Sequence, residues 1–248
     1  MNNVALVINT VSKNSDVWEM FFGELNEHFP PQFKKYVFVD EASEGIPDDC
    51  EVILYDKAKK YQEQFASCIS SVKEEYCIYI SEDYILYSPI NYQLIEELYG
   101  VLDVHPGLSF IRFMRGGVVD FLHEYKNYNT IYKLYNYLPY FYTNQAALWR
   151  TRDLEEIHVQ GPALHIGNED YENSFEFQAT KTCEKLGIEG AFYHNNEPKR
   201  GLYHYDTEIF PHVSTALVKG KWNISEYKKE LVPLLEKYDI DVSARGSV

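Results

Sequence analysis

Residues 76–84 read Tyr76-Cys77-Ile78-Tyr79-Ile80-Ser81-Glu82-Asp83-Tyr84. An apolar run this short, rich in β-branched and aromatic residues, predicts a buried central strand. Glu82 and Asp83 then lie at the carboxyl end of that strand, where open α/β sheets bind their ligands. Two adjacent carboxylates repel each other unless a cation or a proton lies between them. The pair therefore predicts a divalent metal site on a phosphate-bearing substrate, with a solvated acidic turn as the alternative.

Strand and helix signals alternate around this stretch through the first half of the chain. Further strands are predicted at Val4–Asn9, Tyr36–Val39, Val52–Tyr55 and Leu108–Phe113. Helices are predicted at Val17–Phe29, Lys60–Glu75 and Ile90–Leu102, where apolar residues recur at helical spacing. Such alternation predicts an α/β fold with a parallel sheet covered by helices on both faces.

The pattern changes after about residue 116. Val118–Tyr142 is dense in Tyr, Phe and Asn without a clean period, which predicts loops and short strands over the sheet. Later helices are predicted at Thr151–His158, Asn173–Leu186 and Ser225–Tyr238, with a strand at Gly190–His194. Gly187 is expected to end the second of these helices. No linker divides the chain, so residues 1–243 are expected to form one domain and residues 244–248 a disordered tail.

Composition excludes several classes of function. The 248 residues carry a formal net charge of −15 and no Lys/Arg cluster longer than two, which argues against nucleic acid as a ligand. No secretory signal and no apolar stretch of membrane-spanning length is present, and the four cysteines are scattered. A cytoplasmic protein with free thiols is expected. Dinucleotide-binding, P-loop, hydrolase-elbow and zincin motifs are all missing.

Four stretches, in order, resemble the nucleotide-sugar glycosyltransferases of the GT-A fold, as found in bacteria and viruses. The stretches are Val7-Ile8-Asn9-Thr10, Tyr79 to Tyr84, Tyr142 to Leu154, and Asn168 to Phe177. The second is similar to the acidic "DxD" element of these enzymes, and the third is similar to their "QpalWrrdfL" stretch. A later Lys219-Gly220-Lys221-Trp222 is similar to a "GkW" turn of such domains. The likeness spans about residues 4–222. It departs from a strict "DxD" at Tyr84, which leaves Glu82 and Asp83 adjacent.

The resemblance implies a single GT-A-like domain with an open mixed sheet, a nucleotide-binding half at residues 1–115 and an acceptor-side half at residues 116–243. The implied activity is transfer of a sugar from a UDP- or GDP-sugar to a glycan or other hydroxyl acceptor. Asp83 and Glu82 would hold Mn²⁺ or Mg²⁺ on the donor diphosphate. Donor contacts are expected from Thr10, Asp40, Gln145 and Lys221.

The acceptor side needs a carboxylate that removes the hydroxyl proton. Four acids crowd one segment: Glu169, Asp170, Glu172 and Glu176. Asp170 is the first candidate for the base and Glu169 the second, whereas Glu172 is also where a helix start favours negative charge.

Several interpretations stay open from the sequence. Trp149 could stack on a sugar or fill the core. Phosphate could be met by Arg150, Arg152, Lys199, Arg200 or Lys221, and Arg112 and Arg115 could line the site or pair with acids. A nucleotidyltransferase should carry a Gly- and Lys/Arg-rich loop after the first strand, of which Ser12-Lys13-Asn14 is a poor version. Tyr84 also leaves open a non-catalytic protein that binds carbohydrate or nucleotide.

Overall fold

The computed structural model describes residues 1, 3–42, 44–161 and 174–248. Within them the helices are α1 Ser15–His28, α2 Tyr61–Ile69, α3 Tyr92–Val104, α4 Thr151–Gln160, α5 Phe175–Leu186, α6 Ile224–Lys237 and α7 Val242–Arg245. The strands are β1 Val4–Asn9, β2 Lys34–Val39, β3 Cys50–Leu54, β4 Tyr76–Ser81, β5 Ile85–Leu86, β6 Leu108–Arg112, β7 Glu124–Tyr125, β8 Tyr128–Leu134, β9 Ala147–Arg150, β10 Glu189–Tyr193, β11 Lys199–Arg200, β12 His204–Tyr205, β13 His212–Val213, β14 Leu217–Val218 and β15 Lys221–Trp222.

Nine of these strands form one open mixed sheet in the order β3-β2-β1-β4-β9-β6-β10-β8-β7. The strands from β3 to β4 run parallel to one another, so their carboxyl ends share one edge. Strand β9 runs antiparallel between β4 and β6, and β10 runs parallel to β6. The sequence-based fold class, an open mixed α/β sheet flanked by helices, is confirmed.

The two faces of the sheet are buried under different helices because successive strand side chains point to opposite faces. Ile78 and Ile80 of β4 pack with α1, α3 and α6, and Cys77 and Tyr79 pack with α2, α4 and α5. Each fully buried side chain of this size stabilises the fold by about 1.5–3 kcal/mol. Burial on both faces explains why β4 is apolar at nearly every position, as the sequence predicted.

Strand β9 was not predicted, and it settles two open interpretations. Trp149 is buried and stacks on Phe110 with ring centroids 4.1 Å apart, so it belongs to the core and not to a sugar site. Arg150 pairs with Tyr76 at the beginning of β4, the end opposite the acidic pair. Its guanidinium is buried and donates to the carbonyls of Leu102 and Leu108, at 2.5 and 3.0 Å, so it cannot reach a phosphate near Asp83.

Helix ends and the C-terminal segment also differ in part from the prediction. The helix expected at Lys60–Glu75 ends at Ile69, whereas Gly187, with φ +68°, ends α5 as expected. Residues 244–248 are not a disordered tail. The backbone N–H of Trp222 donates to Gly246, and that of Ser225 donates to Val248.

Across the described ranges no helix has the length and apolar character needed to cross a bilayer. The longest, α1 and α6, have 14 residues each.

Candidate active site

The loops that follow β1, β2 and β4 meet at one edge of the sheet. In the parallel register Asn9 of β1 lies opposite Phe38 of β2 and Ser81 of β4. The chain leaves these strands as residues 10–14, 40–41 and 82–84, so three loops from distant parts of the sequence become neighbours. This is the edge of an α/β sheet where ligands bind.

Asp40 is fixed at the floor of an open cavity of about 460 Å³. Its side chain is only 2 % exposed, accepts hydrogen bonds from the backbone N–H and the hydroxyl of Ser12 at 2.6 and 2.9 Å, and pairs with Lys57 at 2.7 Å. Burial by itself would raise the pKa of Asp40, but the hydrogen bonds from Lys57 and Ser12 outweigh it and the pKa is lowered. Asp40 is therefore a charged acceptor at neutral pH.

Thr10 lies beneath this cavity and does not line it. Its hydroxyl accepts a hydrogen bond from the indole N–H of Trp18 at 2.8 Å, and its carbonyl accepts one from Tyr55, whose ring forms a wall of the cavity. Thr10 therefore shapes the pocket through Tyr55. Direct contact between its side chain and a donor remains an untested expectation.

In the acidic pair Glu82 is buried and Asp83 half-buried, and the described residues supply no counter-ion. Glu82 is 7 % exposed and accepts a hydrogen bond from the Asn14 amide at 2.6 Å. Neither Glu82 nor Asp83 forms an ion pair with any Lys, Arg or His in the part of the chain that the structure describes. Burial, and then the charge of Glu82, raise the pKa of Asp83 well above its ordinary value. Burial also raises the pKa of Glu82, although the Asn14 hydrogen bond and the nearby charge of Arg245 oppose this.

Such a pair fits a divalent cation, because carboxylate oxygens that no cationic side chain neutralises are the ligands that Mg²⁺ and Mn²⁺ sites use. Another acidic cluster, formed by Glu24, Glu27 and His28 of α1, has ligand atoms close enough for a metal. Lys237 already occupies it, at 2.5 Å from Glu24 and 2.7 Å from Glu27. That cluster is consequently an ion-pair network between α1 and α6.

A second cavity, of about 380 Å³, opens beside Tyr84, the residue after the acidic pair. The hydroxyl of Tyr84 donates to the carbonyl of Asn144 at 2.5 Å, and a carboxylate oxygen of Glu176 accepts from the backbone N–H of Asn144 at 3.0 Å. The 143–145 segment is thus held between the end of β4 and the first turn of α5. Gln145 lines the cavity, and its side-chain oxygen is buried without a hydrogen-bond partner in the structure.

Arg112 and Glu176 are the charged groups in the wall of this cavity. Arg112 donates to the carbonyls of Tyr140 and Phe141 at 3.0 and 2.8 Å, and burial lowers its pKa to about 10. Burial raises the pKa of Glu176, while the Asn144 hydrogen bond and the charge of Arg112 oppose the rise. A carboxylate with a raised pKa beside a cavity is a candidate for proton transfer.

The structure brings some of the sequence-predicted residues together and not others. Asp40 lines the first cavity and Gln145 the second. Glu82 and Asp83 line neither; they lie between Asn14, in the loop after β1, and Tyr84, which lines the second cavity. Lys221 is exposed on the β14–β15 hairpin and is not among the residues that line either cavity. Asp170 and Glu169, the candidate bases, lie outside the described residues.

Further groups at the site have little or no signal in the sequence. Glu176 is one acid in a crowded segment, and Arg112 is one of two arginines that could line the site. Asn14 and Lys57 carry no local signal, because their partners are 68 and 17 residues away in sequence. Arg200, a phosphate candidate, is occupied by Asp206 and Glu230.

No sequence family and no characterised protein matches the chain in sequence. Among solved structures, the chain is similar to CMP:2-keto-3-deoxy-manno-octonic acid synthetase complexed with CTP, at 11 % identity and a TM-score of 0.50, over 94 % of this chain and 99 % of that one. TarS of S. aureus in complex with UDP aligns at 12 % identity and a TM-score of 0.49, over 98 % of this chain and 68 % of that one. The mannosyltransferase PcManGT from Pyrobaculum calidifontis, with GDP-Man and Mn²⁺, aligns at 14 % identity and a TM-score of 0.45, over 81 % and 58 %.

The first of these likenesses shows a shared fold and carries no information on activity. The chain therefore has the fold of the nucleotide-diphospho-sugar transferases, which is the fold that the sequence resemblance implies.

Proposed function

We propose that the protein is a glycosyltransferase that moves a sugar from a UDP- or GDP-sugar to a hydroxyl of a glycan or similar acceptor. The supporting observation is the acidic pair, which has no counter-ion among the described residues. Glu82 touches Asn14, in the loop beside the Asp40 cavity, and Tyr84, the next residue after the pair, lines the second cavity. A nucleoside beside Asp40, a metal-bound diphosphate at the acidic pair and an acceptor in the second cavity would suit this order of groups.

On the donor side, Asp40 would accept hydrogen bonds from a ribose hydroxyl or a base N–H. Its two oxygens offer about four acceptor positions, and Ser12 and Lys57 use three of them. A divalent cation held by Asp83, directly or together with Glu82, would neutralise the charge that develops on the departing diphosphate. Gln145 would meet the donor sugar through its unpartnered oxygen, accepting a hydrogen bond from a sugar hydroxyl.

On the acceptor side, Asp170, and next Glu169, remain the proposed bases. Glu176 is a further candidate, because it lines the acceptor-side cavity and its pKa is raised. Arg112 would hold a negative charge on Glu176 until an acceptor hydroxyl arrives. The proton would then pass from the hydroxyl to the carboxylate as the new glycosidic bond forms.

A nucleotidyltransferase is the second candidate, because the fold admits it. Such an enzyme must neutralise a nucleoside triphosphate. In the loop after β1, among residues 10–14, Lys13 is the single cation, and its side chain is exposed. The local charge therefore favours the glycosyltransferase.

The test is a thermal-shift screen of UDP, GDP, CTP and UTP with and without Mn²⁺, followed by turnover of the nucleotide that stabilises the protein. We expect UDP or GDP to stabilise the chain in a metal-dependent way, and the matching sugar nucleotide to be hydrolysed slowly without acceptor. Pyrophosphate release from CTP or UTP with a sugar substrate would establish the second candidate. No response to any nucleotide would leave a binding protein without catalysis.

A cytoplasmic location is part of the proposal, because all four cysteines are free thiols and three of them are buried.

A further inference from the structure

Large exposed apolar side chains lie within one to three residues of Tyr203 and Tyr140, which line the second cavity. Leu202 and Tyr203 are 73 % and 67 % exposed, and Tyr137 is 62 % exposed. Val118 and Tyr203 line the cavity itself, as does Tyr140 from the same loop as Tyr137. A contiguous exposed apolar surface on a water-facing protein commonly marks a binding site.

The rings of these loops form an ordered platform. Tyr135 and Tyr137 stack with centroids 5.5 Å apart and planes 29° from parallel. Phe121 packs on Tyr135 at 5.8 Å, and the hydroxyl of Tyr135 shares a hydrogen bond with His123 at 2.8 Å. We call residues 118–123, 135–140 and 202–203 the aromatic rim. Its rings pack on one another; Tyr137 is largely exposed, whereas Tyr135 is half-buried and also lines a separate cavity with Tyr125 and Gly190.

The turn that carries Tyr203 is also fixed in place. The backbone N–H of Gly117 donates to the carbonyl of Tyr203 at 2.6 Å. The approach is so close that a β-carbon at Gly117 would lie 2.0 Å from the carbonyl oxygen of Leu202. Only glycine at this position lets the two loops of the rim touch.

Charge and chemistry select the occupant. Tyrosine offers an apolar ring face together with a hydroxyl, which matches the alternating C–H and hydroxyl faces of a sugar ring. Inside the cavity, Glu176 and Glu226 face a single arginine, Arg112, and the whole chain carries a charge of −15. This balance disfavours an anionic acceptor inside the cavity and does not disfavour a neutral saccharide. Lys199 and Arg115, the cations nearest the rim, donate to the carbonyls of Gly117 and Val119.

We infer that the acceptor is a neutral oligosaccharide, whose terminal sugar enters the cavity while the following sugars lie on the aromatic rim. The inference rests on the proposed function, because the saccharide is an acceptor only if the protein is a glycosyltransferase. It adds the substrate class and a length dependence, since Tyr203 contacts the first sugars and Tyr135 and Tyr137 contact those farther from the reacting end.

The experiment measures binding, not transfer. Neutral gluco-, galacto- and manno-oligosaccharides of one to six sugars, with sulfated counterparts, are titrated into the whole protein by ligand-observed NMR and calorimetry. We expect at least one neutral series to bind more tightly as it lengthens. Tyr137→Ala should abolish the gain with length and leave single-sugar binding unchanged, and Tyr203→Ala should weaken binding of every length about tenfold. Leu54→Ala, at an exposed apolar residue of β3, is the matched control and should change nothing.

The inference is overturned if no saccharide binds, if sulfated ones bind better, if the length dependence survives in Tyr137→Ala, or if zwitterionic phospholipid vesicles bind in place of sugars. Metal-dependent nucleotide binding is measured on the same samples. Saccharide binding without any nucleotide binding would contradict the proposed glycosyltransferase activity and support saccharide binding at the aromatic rim. Nucleotide binding and donor hydrolysis without saccharide binding would contradict saccharide binding at the rim and leave the proposed activity supported.

Discussion

Replacing Asp83 with Asn should make the metal-free protein more stable. The change removes one of two adjacent carboxylates, of which Glu82 is buried and Asp83 half-buried, and which share no counter-ion among the described residues. Two unit charges about 4 Å apart repel by about 1 kcal/mol in water and about 4 kcal/mol at the effective dielectric of a protein surface. Asp83 is partly exposed, so a gain of about 1–3 kcal/mol in the free energy of unfolding is expected. For a chain of this size that is a rise of roughly 3–10 °C in Tm.

The gain should depend on pH. The folded-state pKa of Asp83 is raised, so below about pH 4 the carboxyl is protonated in both folded and unfolded chains and contributes nothing. As the pH rises above the ordinary pKa of an aspartate, about 4, Asp83 ionises in the unfolded chain but stays protonated in the folded one. The wild-type protein therefore loses stability with rising pH until the folded-state pKa is reached. Urea unfolding at pH 4 and pH 7.5 should show the advantage of Asp83→Asn only at the higher pH.

Mn²⁺ should invert the comparison, because it stabilises only the chain that can bind it. At a concentration one hundred times its Kd, the ion would add about 2.7 kcal/mol to the wild-type protein and much less to Asp83→Asn. Asp48→Asn, at an exposed aspartate, is the control and should behave as wild type in both experiments. Equal stability of wild type and Asp83→Asn at pH 7.5 would show that the Asp83 charge does not destabilise the fold. Equal stabilisation of both by Mn²⁺ would show that Asp83 does not bind the ion.

Three further predictions concern the other parts of the site. Asp40→Asn should weaken nucleotide binding about tenfold by calorimetry. Because the pKa of Asp40 is lowered, its charge stabilises the fold at neutral pH, and this contribution is lost as the pH falls below about 4. Urea unfolding should therefore show Asp40→Asn less stable than wild type at neutral pH and equally stable below about pH 4. Glu176→Gln should reduce transfer about a hundredfold or more if Glu176 takes the proton, with nucleotide affinity unchanged; an unaltered kcat would restrict Glu176 to holding Asn144. Gly117→Ala should lower the free energy of unfolding, measured in urea, by about 1–3 kcal/mol and weaken saccharide binding. The reason is that the new β-carbon displaces the turn that carries Tyr203. Wild-type values for both would contradict the tight contact between the rim loops.

Much of the fold could be predicted because its central strands are buried on both faces. The continuous apolar runs of β1 and β4 carry their own signal, and β1 begins and ends where the sequence predicted. Strand β9 carries none. It has four residues, it ends in a buried arginine, and its place between β4 and β6 depends on pairings with residues about 40 to 70 positions away. Such non-local pairing leaves no periodicity in the sequence to detect.

The site was predictable only where one short stretch holds both the strand and its chemistry. Glu82 and Asp83 follow β4 directly, and Asp40 follows β2 directly, so strand ends located them. Asn14 reaches Glu82 through the turn of the β1 loop, and Lys57 reaches Asp40 from beyond β3. Glu176 is placed by Ser174, which caps α5 by accepting from the N–H of Phe177 and so aims the first turn at Asn144. These contacts are products of the packed fold.

The proposed metal site at Asp83 can be tested by crystallography. A crystal of the protein is soaked with Mn²⁺ and UDP or GDP, and anomalous data are collected at the manganese edge. We expect one manganese peak about 2.0–2.4 Å from a carboxylate oxygen of Asp83, in contact with the diphosphate, with the nucleoside beside Asp40. A nucleotide seated elsewhere, or manganese bound only at Glu24 and Glu27 while Asp83 carries no ion, would contradict the proposed site.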